Sequence, residues 1–230
     1  MFKGGVPMED RTVGVVDCDK AKIMAGCTLV CAGLETYLID SDGHVVHEWR
    51  SERPVFAAYL LPSGNLLRDG SENDVAVAFR AGGAAGWVEE VTWDNEVVWS
   101  HACLPYDSHL THHDLEPLPN GNVLVLCWER KTKAQALQAG RRVELIPDGE
   151  VWNNLTLELE PNVAEGGASV VWRWSLWDHL VQDYDETKDN YVKDIADHPA
   201  RFDINYCPPG AQAASIVTGS QLGLLQKALA

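Results

Sequence analysis

The chain has 230 residues, 46% of them hydrophobic, and its 18 basic against 34 acidic side chains leave a formal charge of −16. A chain of this length buries a core without disulfide staples, and so acidic a surface argues against nucleic acid or an anionic membrane as partner. No run approaches the roughly 20 consecutive apolar residues that a membrane helix requires.

The opening, MFKGGVPMEDRTVG, carries a lysine but no apolar stretch of the kind a secretory signal has, so a cytosolic chain is expected. Cys18, Cys27, Cys31, Cys103, Cys127 and Cys207 sit at irregular spacings with no C-x-x-C pair. Zinc and redox motifs are therefore unsupported, and the cysteines read as small buried apolar residues; no metal or cofactor is expected.

In chain order, TYLID (36–40) and DGHVVHEW (42–49) read as a β-hairpin with an Asp-Gly turn. YLLPSGNLLRD (59–69) adds a second hairpin around its Pro-Ser-Gly-Asn turn. RAGGAAGW (80–87) is a glycine-rich loop leading into a strand. WVEEVTW (87–93) and DNEVVWSH (94–101) repeat the first hairpin, with Asp42, Val45 and Val46 recurring as Asp94, Val97 and Val98. HLTHHDLEP (109–117) sets three histidines into five residues. EPLPNGNVLVL (116–126) then repeats the second hairpin, Pro62, Gly64 and Asn65 recurring as Pro119, Gly121 and Asn122. KTKAQALQAGRR (131–142) predicts a short surface helix stopped at Gly140. LTLELE (155–160) and ASVVWRW (168–174) form a third copy of the first hairpin, with Val170 and Val171 on the repeated valines. SLWDHLVQDYD (175–185) spaces Leu176, Leu180 and Tyr184 as one face of a docked helix.

Four strands per unit, repeating at roughly 50 to 60 residues, is the arithmetic of a propeller blade. The reading is all-β: two whole blades and the start of a third, with short surface helices near 131–140 and 175–185. A β-sandwich is the structural rival. Trp49, Trp99, Trp172 and Trp174 suit packing between neighbouring blades. After Tyr206 the pattern stops, and CPPGAQAASIVTGSQLGLLQKALA has no tryptophan and no charge except Lys227. The organisation is thus a partial β-propeller over 1–206 and a divergent tail over 207–230. So few blades leave open edges, which predicts self-association or a partner that completes the ring.

Five segments in order, TVGVVDCDKAKIMAGCTLVCAGLETYLIDSDGHVVHEW, YLLPSGNLLR, HHDLEPLPNGNVLVLCWERKT, LWDHLVQDYDETKDNY and DHPARFDINY, resemble the arylsulfotransferase family, the nucleotide-independent aryl-sulfate sulfotransferases. The resemblance runs from about Thr12 to Tyr206, the family's N-terminal portion. It implies a six-bladed propeller and transfer of a sulfuryl group from a phenolic sulfate ester to a phenol acceptor through a sulfated histidine. Such a transfer spreads charge over three equatorial oxygens and needs a neutral nucleophile and a proton donor for the departing phenolate, demands that convergent imidazoles meet.

His112 and His113 match the family's HHD segment and are the candidate catalytic residues. Neighbours in an extended strand point opposite ways, so one of the two, with His113 favoured, is expected to face the substrate. Asp114 then orients an imidazole or caps a turn. His179 and His198 match family segments but read as packing or capping; His44, His47, His101 and His109 are assigned no role. Arg130 and Lys131 read as a solvated helix start. The family's later segments, a D-W-x-H-x-N stretch, an arginine and the histidine that becomes sulfated, have no counterpart after Tyr206. The second reading is therefore a truncated, non-catalytic half-propeller that acts as an interaction module. A sulfotransferase with a nucleotide donor is disfavoured, since no G-x-x-x-x-G-K-[ST] loop is present.

Overall fold

The computed structural model describes residues 13–72, 79, 82–103, 105, 108–146 and 149–207. The tail from residue 208 onward lies outside the described residues. The fold is all-β. Strands β1 (Thr28–Ile39) and β2 (Val45–Val55) form an antiparallel hairpin. Asp40 closes it by accepting the backbone N–H groups of Asp42 and His44 at 2.8 and 2.9 Å.

Two four-stranded antiparallel sheets follow, each a meander in chain order. The first is β3 (Ala58–Leu60), β4 (Leu66–Ser71), β5 (Gly86–Val91) and β6 (Val97–Ala102). The second is β7 (His109–Pro117), β8 (Val123–Thr132), β9 (Glu150–Asn162) and β10 (Gly167–Ser175). The sheets are compatible with propeller blades, but their phase differs from the one the repeats suggest. The L-P-x-G-N turn opens each sheet and a copy of the repeated valine hairpin closes it, through Asp94-Asn95 in the first sheet and the connection 163–166 in the second. The incomplete unit is accordingly β1–β2, and the third hairpin, β9–β10, completes the second sheet instead of starting a third.

The repeated turn asparagines have a structural purpose. Asn65 and Asn122 each reach a glutamate on the third strand of their own sheet, Glu90 and Glu158, with Nδ2 to Oε1 distances of 2.6 Å in both. The bond ties the first turn of a sheet to its far hairpin, and the charged acceptor makes it stronger than a neutral one.

Apolar residues on alternate strand positions weld the sheets face to face. Leu67, Val88 and Trp99 of the first pack on Leu115, Val123, Val125, Cys127, Leu155, Leu157 and Leu159 of the second. On the other side of the first sheet, Leu66 and Val91 meet Leu38 and Trp49 of β1–β2. A third cluster, with Ala136, Ile146, Val151, Leu176, Leu180 and Ile204, joins the second sheet to the C-terminal connections.

Helix α1 (Lys133–Gln138) forms where its composition predicts, opened by a reciprocal capping box between Thr132 and Gln135. At 175–185 the helix is much shorter than its spacing implies. A 3-10 turn spans Leu176–His179, after which β11 (Leu180–Val181) pairs in parallel with β12 (Phe202–Asp203). Leu176 and Leu180 are buried, but Tyr184 is 63% exposed. The Gln182 amide intervenes, accepting the Tyr184 and Asp185 N–H groups at 2.7 Å and turning the chain away. Of the six cysteines only Cys103 and Cys127 are buried; Cys27 is exposed and the others are half-exposed. Among the described residues no helix is long and apolar enough to cross a membrane.

Candidate functional site

The histidine pair sits on β7, the edge strand of the second sheet. Thr111 stands opposite Cys127 and the next pair is Leu115 opposite Val125, so His112, His113 and Asp114 share the space across from Leu126. This is a β-bulge, and His113 takes up the excess with a φ of 61°. The bulge overturns the expectation that the two side chains diverge. The two rings instead converge, Nδ1 to Nδ1, at 2.9 Å, with their planes 86° apart.

The turn before β5 holds this bulge from the other side. His113 donates its backbone N–H to the Gly83 carbonyl at 2.9 Å, and His112 bridges Ala84. Ala85 and Gly86 donate to the Thr111 carbonyl and hydroxyl, at 2.9 and 2.7 Å. The glycine-rich stretch that reads as a plain loop is thus the backbone clamp of the histidines.

His112 lies flat on the indole of Trp128, with centroids 4.4 Å apart and planes at 19°. Trp152 and Phe79 extend the aromatic layer behind it. His112 is 7% exposed, and its buried Nε2 has no hydrogen-bond partner of good geometry. Burial pushes its pKa down to about 4, the neighbouring His113 adds to the shift, and the Cys127 carbonyl opposes it weakly. His112 is therefore neutral at pH 7. His113 is exposed. A contact between two Nδ1 atoms needs one donor and one acceptor. When His113 donates, its Nε2 carries the lone pair, and the neutral His112 fixes that tautomer by accepting at Nδ1.

Asp114 caps the bulge and orients no imidazole. Its Oδ1 accepts the Leu115 N–H at 2.9 Å and the Tyr59 hydroxyl at 3.0 Å. Burial, with Asp114 adding to it, raises the Tyr59 pKa to about 12.

The remaining candidates lie elsewhere. His179 stacks on Trp174 at 4.9 Å, and His47 stacks on Trp93 and bonds its carbonyl at 2.7 Å. His44 pairs with Asp40, and His109 with Ser108. His101 faces the Cys103 thiol, whose hydrogen bond raises its pKa. Arg130 pairs with Glu150, and Lys131 with Glu129 while lying over the Trp177 ring. His198, with Trp177, Asp189, Asn190 and Arg201, lines a cavity of about 690 Å³ beside α1, formed by other elements than the bulge. Sequence reasoning missed Trp128 and Gly83, the side chain and the turn that position the pair; a tryptophan two residues beyond the apolar repeat was the available signal for the first.

No family model matches the chain, and no curated protein shows significant similarity to it. Among solved structures, the crystal structure of a protein of unknown function from Bacteroides caccae is similar at 14% identity with a TM-score of 0.31. The match covers 68% of this chain and 58% of that one, so the chain spans less than two thirds of its length.

Proposed function

We propose that the His112–His113 bulge takes part in sulfuryl transfer from a phenolic sulfate ester to a phenol, the reaction implied by the resemblance to the arylsulfotransferases. The observation that supports this best is the paired geometry: an exposed imidazole in Nδ1 contact, at 2.9 Å, with a buried, neutral one. His113 Nε2 attacks the sulfur, the S–O bond to the aryl oxygen breaks and the phenolate departs. The Nδ1 contact with the buried, neutral His112 holds the Nδ1 proton in place and so keeps the attacking lone pair on Nε2. The half-buried Trp128 indole, 5.9 Å from His113 and perpendicular to it, offers an apolar edge to an aryl ring. The family's later histidine and arginine have no counterpart here, so the pair forms one side of a site whose cationic groups for the equatorial oxygens come from elsewhere.

The test is transfer from a chromogenic aryl sulfate to phenol without nucleotide. His113→Ala removes the nucleophile and is expected to cut the rate by at least about 10³. An unchanged rate in that variant removes His113 from the site. A wild-type chain that transfers nothing supports the second reading, an interaction module, which is favoured by the exposed apolar surface of β10.

A further inference from the structure

The two buried cysteines, Cys103 and Cys127, belong to different sheets and are 1% and 0% exposed. Cys103 directly follows β6 and donates its backbone N–H to the Gly86 carbonyl at 2.9 Å. Gly86 in turn donates to the Thr111 hydroxyl at 2.7 Å, and Thr111 stands opposite Cys127 of β8. These links bring the two sulfurs together across the sheet interface, where the thiols are hydrogen-bonded to each other. His101, two residues before Cys103, bonds the Cys103 thiol and also the Ala168 carbonyl. With Ala168 accepting the N–H of one ring nitrogen, the other is left to accept from the thiol. The bonds from Cys127 and His101 hold the Cys103 thiol below its ordinary pKa, whereas Cys127, buried beside that sulfur, is raised. Cys103 is therefore the member of the pair that ionises first.

We propose that Cys103 and Cys127 are a peroxide-oxidisable pair, primed by His101, whose disulfide cross-links the two four-stranded sheets. Neither sulfur meets bulk solvent, so the oxidant has to be nearly as small as water, as hydrogen peroxide is. The Cys103 thiolate attacks one peroxide oxygen and the O–O bond breaks. The departing hydroxide takes the proton that His101 removed from the thiol and leaves as water, and Cys103 becomes a sulfenic acid. The Cys127 sulfur then attacks the Cys103 sulfur, the S–O bond breaks, and the hydroxyl leaves with the Cys127 proton as a second water. Two thiols and one peroxide give one disulfide and two waters. The inference is independent of any role for the histidine pair.

The test treats the full chain with hydrogen peroxide at pH 7, alkylates the remaining thiols in denaturant, and cleaves the unreduced protein at acidic residues. Asp107, Asp114 and Glu116 lie between the two cysteines, so cleavage separates them. Mass spectrometry is expected to find the Cys103 and Cys127 peptides joined, although Cys27 is the exposed thiol. His101→Gln is expected to slow the joining at least about tenfold, and Cys127→Ser to leave a sulfenic acid on Cys103 that dimedone traps. The wild-type map decides the matter if either variant does not fold. Recovery of both Cys103 and Cys127 as alkylated residues, from protein whose Cys27 has been oxidised, overturns the proposal. So does joining of either one to other cysteines as readily as to each other. A folded His101→Gln that cross-links at the wild-type rate overturns the part given to the imidazole.

Discussion

His113 adopts a left-handed backbone conformation that few residues other than glycine visit without penalty, and it faces Gly83, which has a φ of 79°. A Cβ added at Gly83 falls 2.7 Å from both Cδ2 and Nε2 of His113 and 2.9 Å from Cε1, near-equal distances that place it over the face of the ring. Gly83→Ala is therefore expected to displace the imidazole and to lose about 1–2 kcal/mol from the positive φ alone. The displacement is read from the His113 ring resonances by NMR; unchanged resonances contradict it. Acid titration gives a second residue-scale expectation. The folded pKa of His112 is about 4 against an ordinary 6.5, so its contribution to stability is present above pH 6.5 and is lost as pH falls through 4. At 1.36 kcal/mol per unit this is about 3 kcal/mol. Asp69 acts in the opposite sense. Burial raises its pKa to about 6, so its contribution is full below about pH 4 and is lost as pH rises through 6. Denaturant midpoints measured from pH 7 to 4 are expected to fall less in His112→Phe, which keeps the stack on Trp128, than in the wild type. An equal or steeper fall shows that His112 is not the acid-sensitive group.

At the level of elements, the L-P-x-G-N repeat is legible because its chemistry is local. Proline and glycine shape the turn, and the asparagine that follows reaches a glutamate carboxylate across the sheet. Hydrogen bonds to charged groups are worth about 1.5–3 kcal/mol, so Asn65→Ala and Asn122→Ala are each expected to destabilise the protein by that amount in urea unfolding. A loss in one variant but not the other means that the two turns are not equivalent. The stretch 175–185 shows the limit of periodicity. Leu176 and Leu180 point inward as a helix would place them, yet the chain leaves the helix at Leu180 because Phe202, more than twenty residues later, offers a strand to pair with. Spacing records which residues are buried; it does not record which partner buries them.

Over the whole molecule, sheet follows sheet, and each buries one face of the next, until the second four-stranded sheet leaves Trp172 uncovered. The paired sequence motifs by themselves determined the all-β class, the hairpins, the turns and α1, because alternation, turn residues and caps act over a few neighbours. His112 and His113 were singled out by the resemblance to the arylsulfotransferases. Tertiary structure alone decided three things: which hairpins share a sheet, that the two histidines converge instead of diverging, and that a glycine turn and Trp128 hold them. The phase of a repeat is invisible to the repeat itself, since either grouping of its hairpins has the same period. A bulge cancels the alternation from which side-chain direction is read. The stack that keeps His112 neutral joins residues sixteen positions apart across two strands, and only the register of β7 against β8 brings them together.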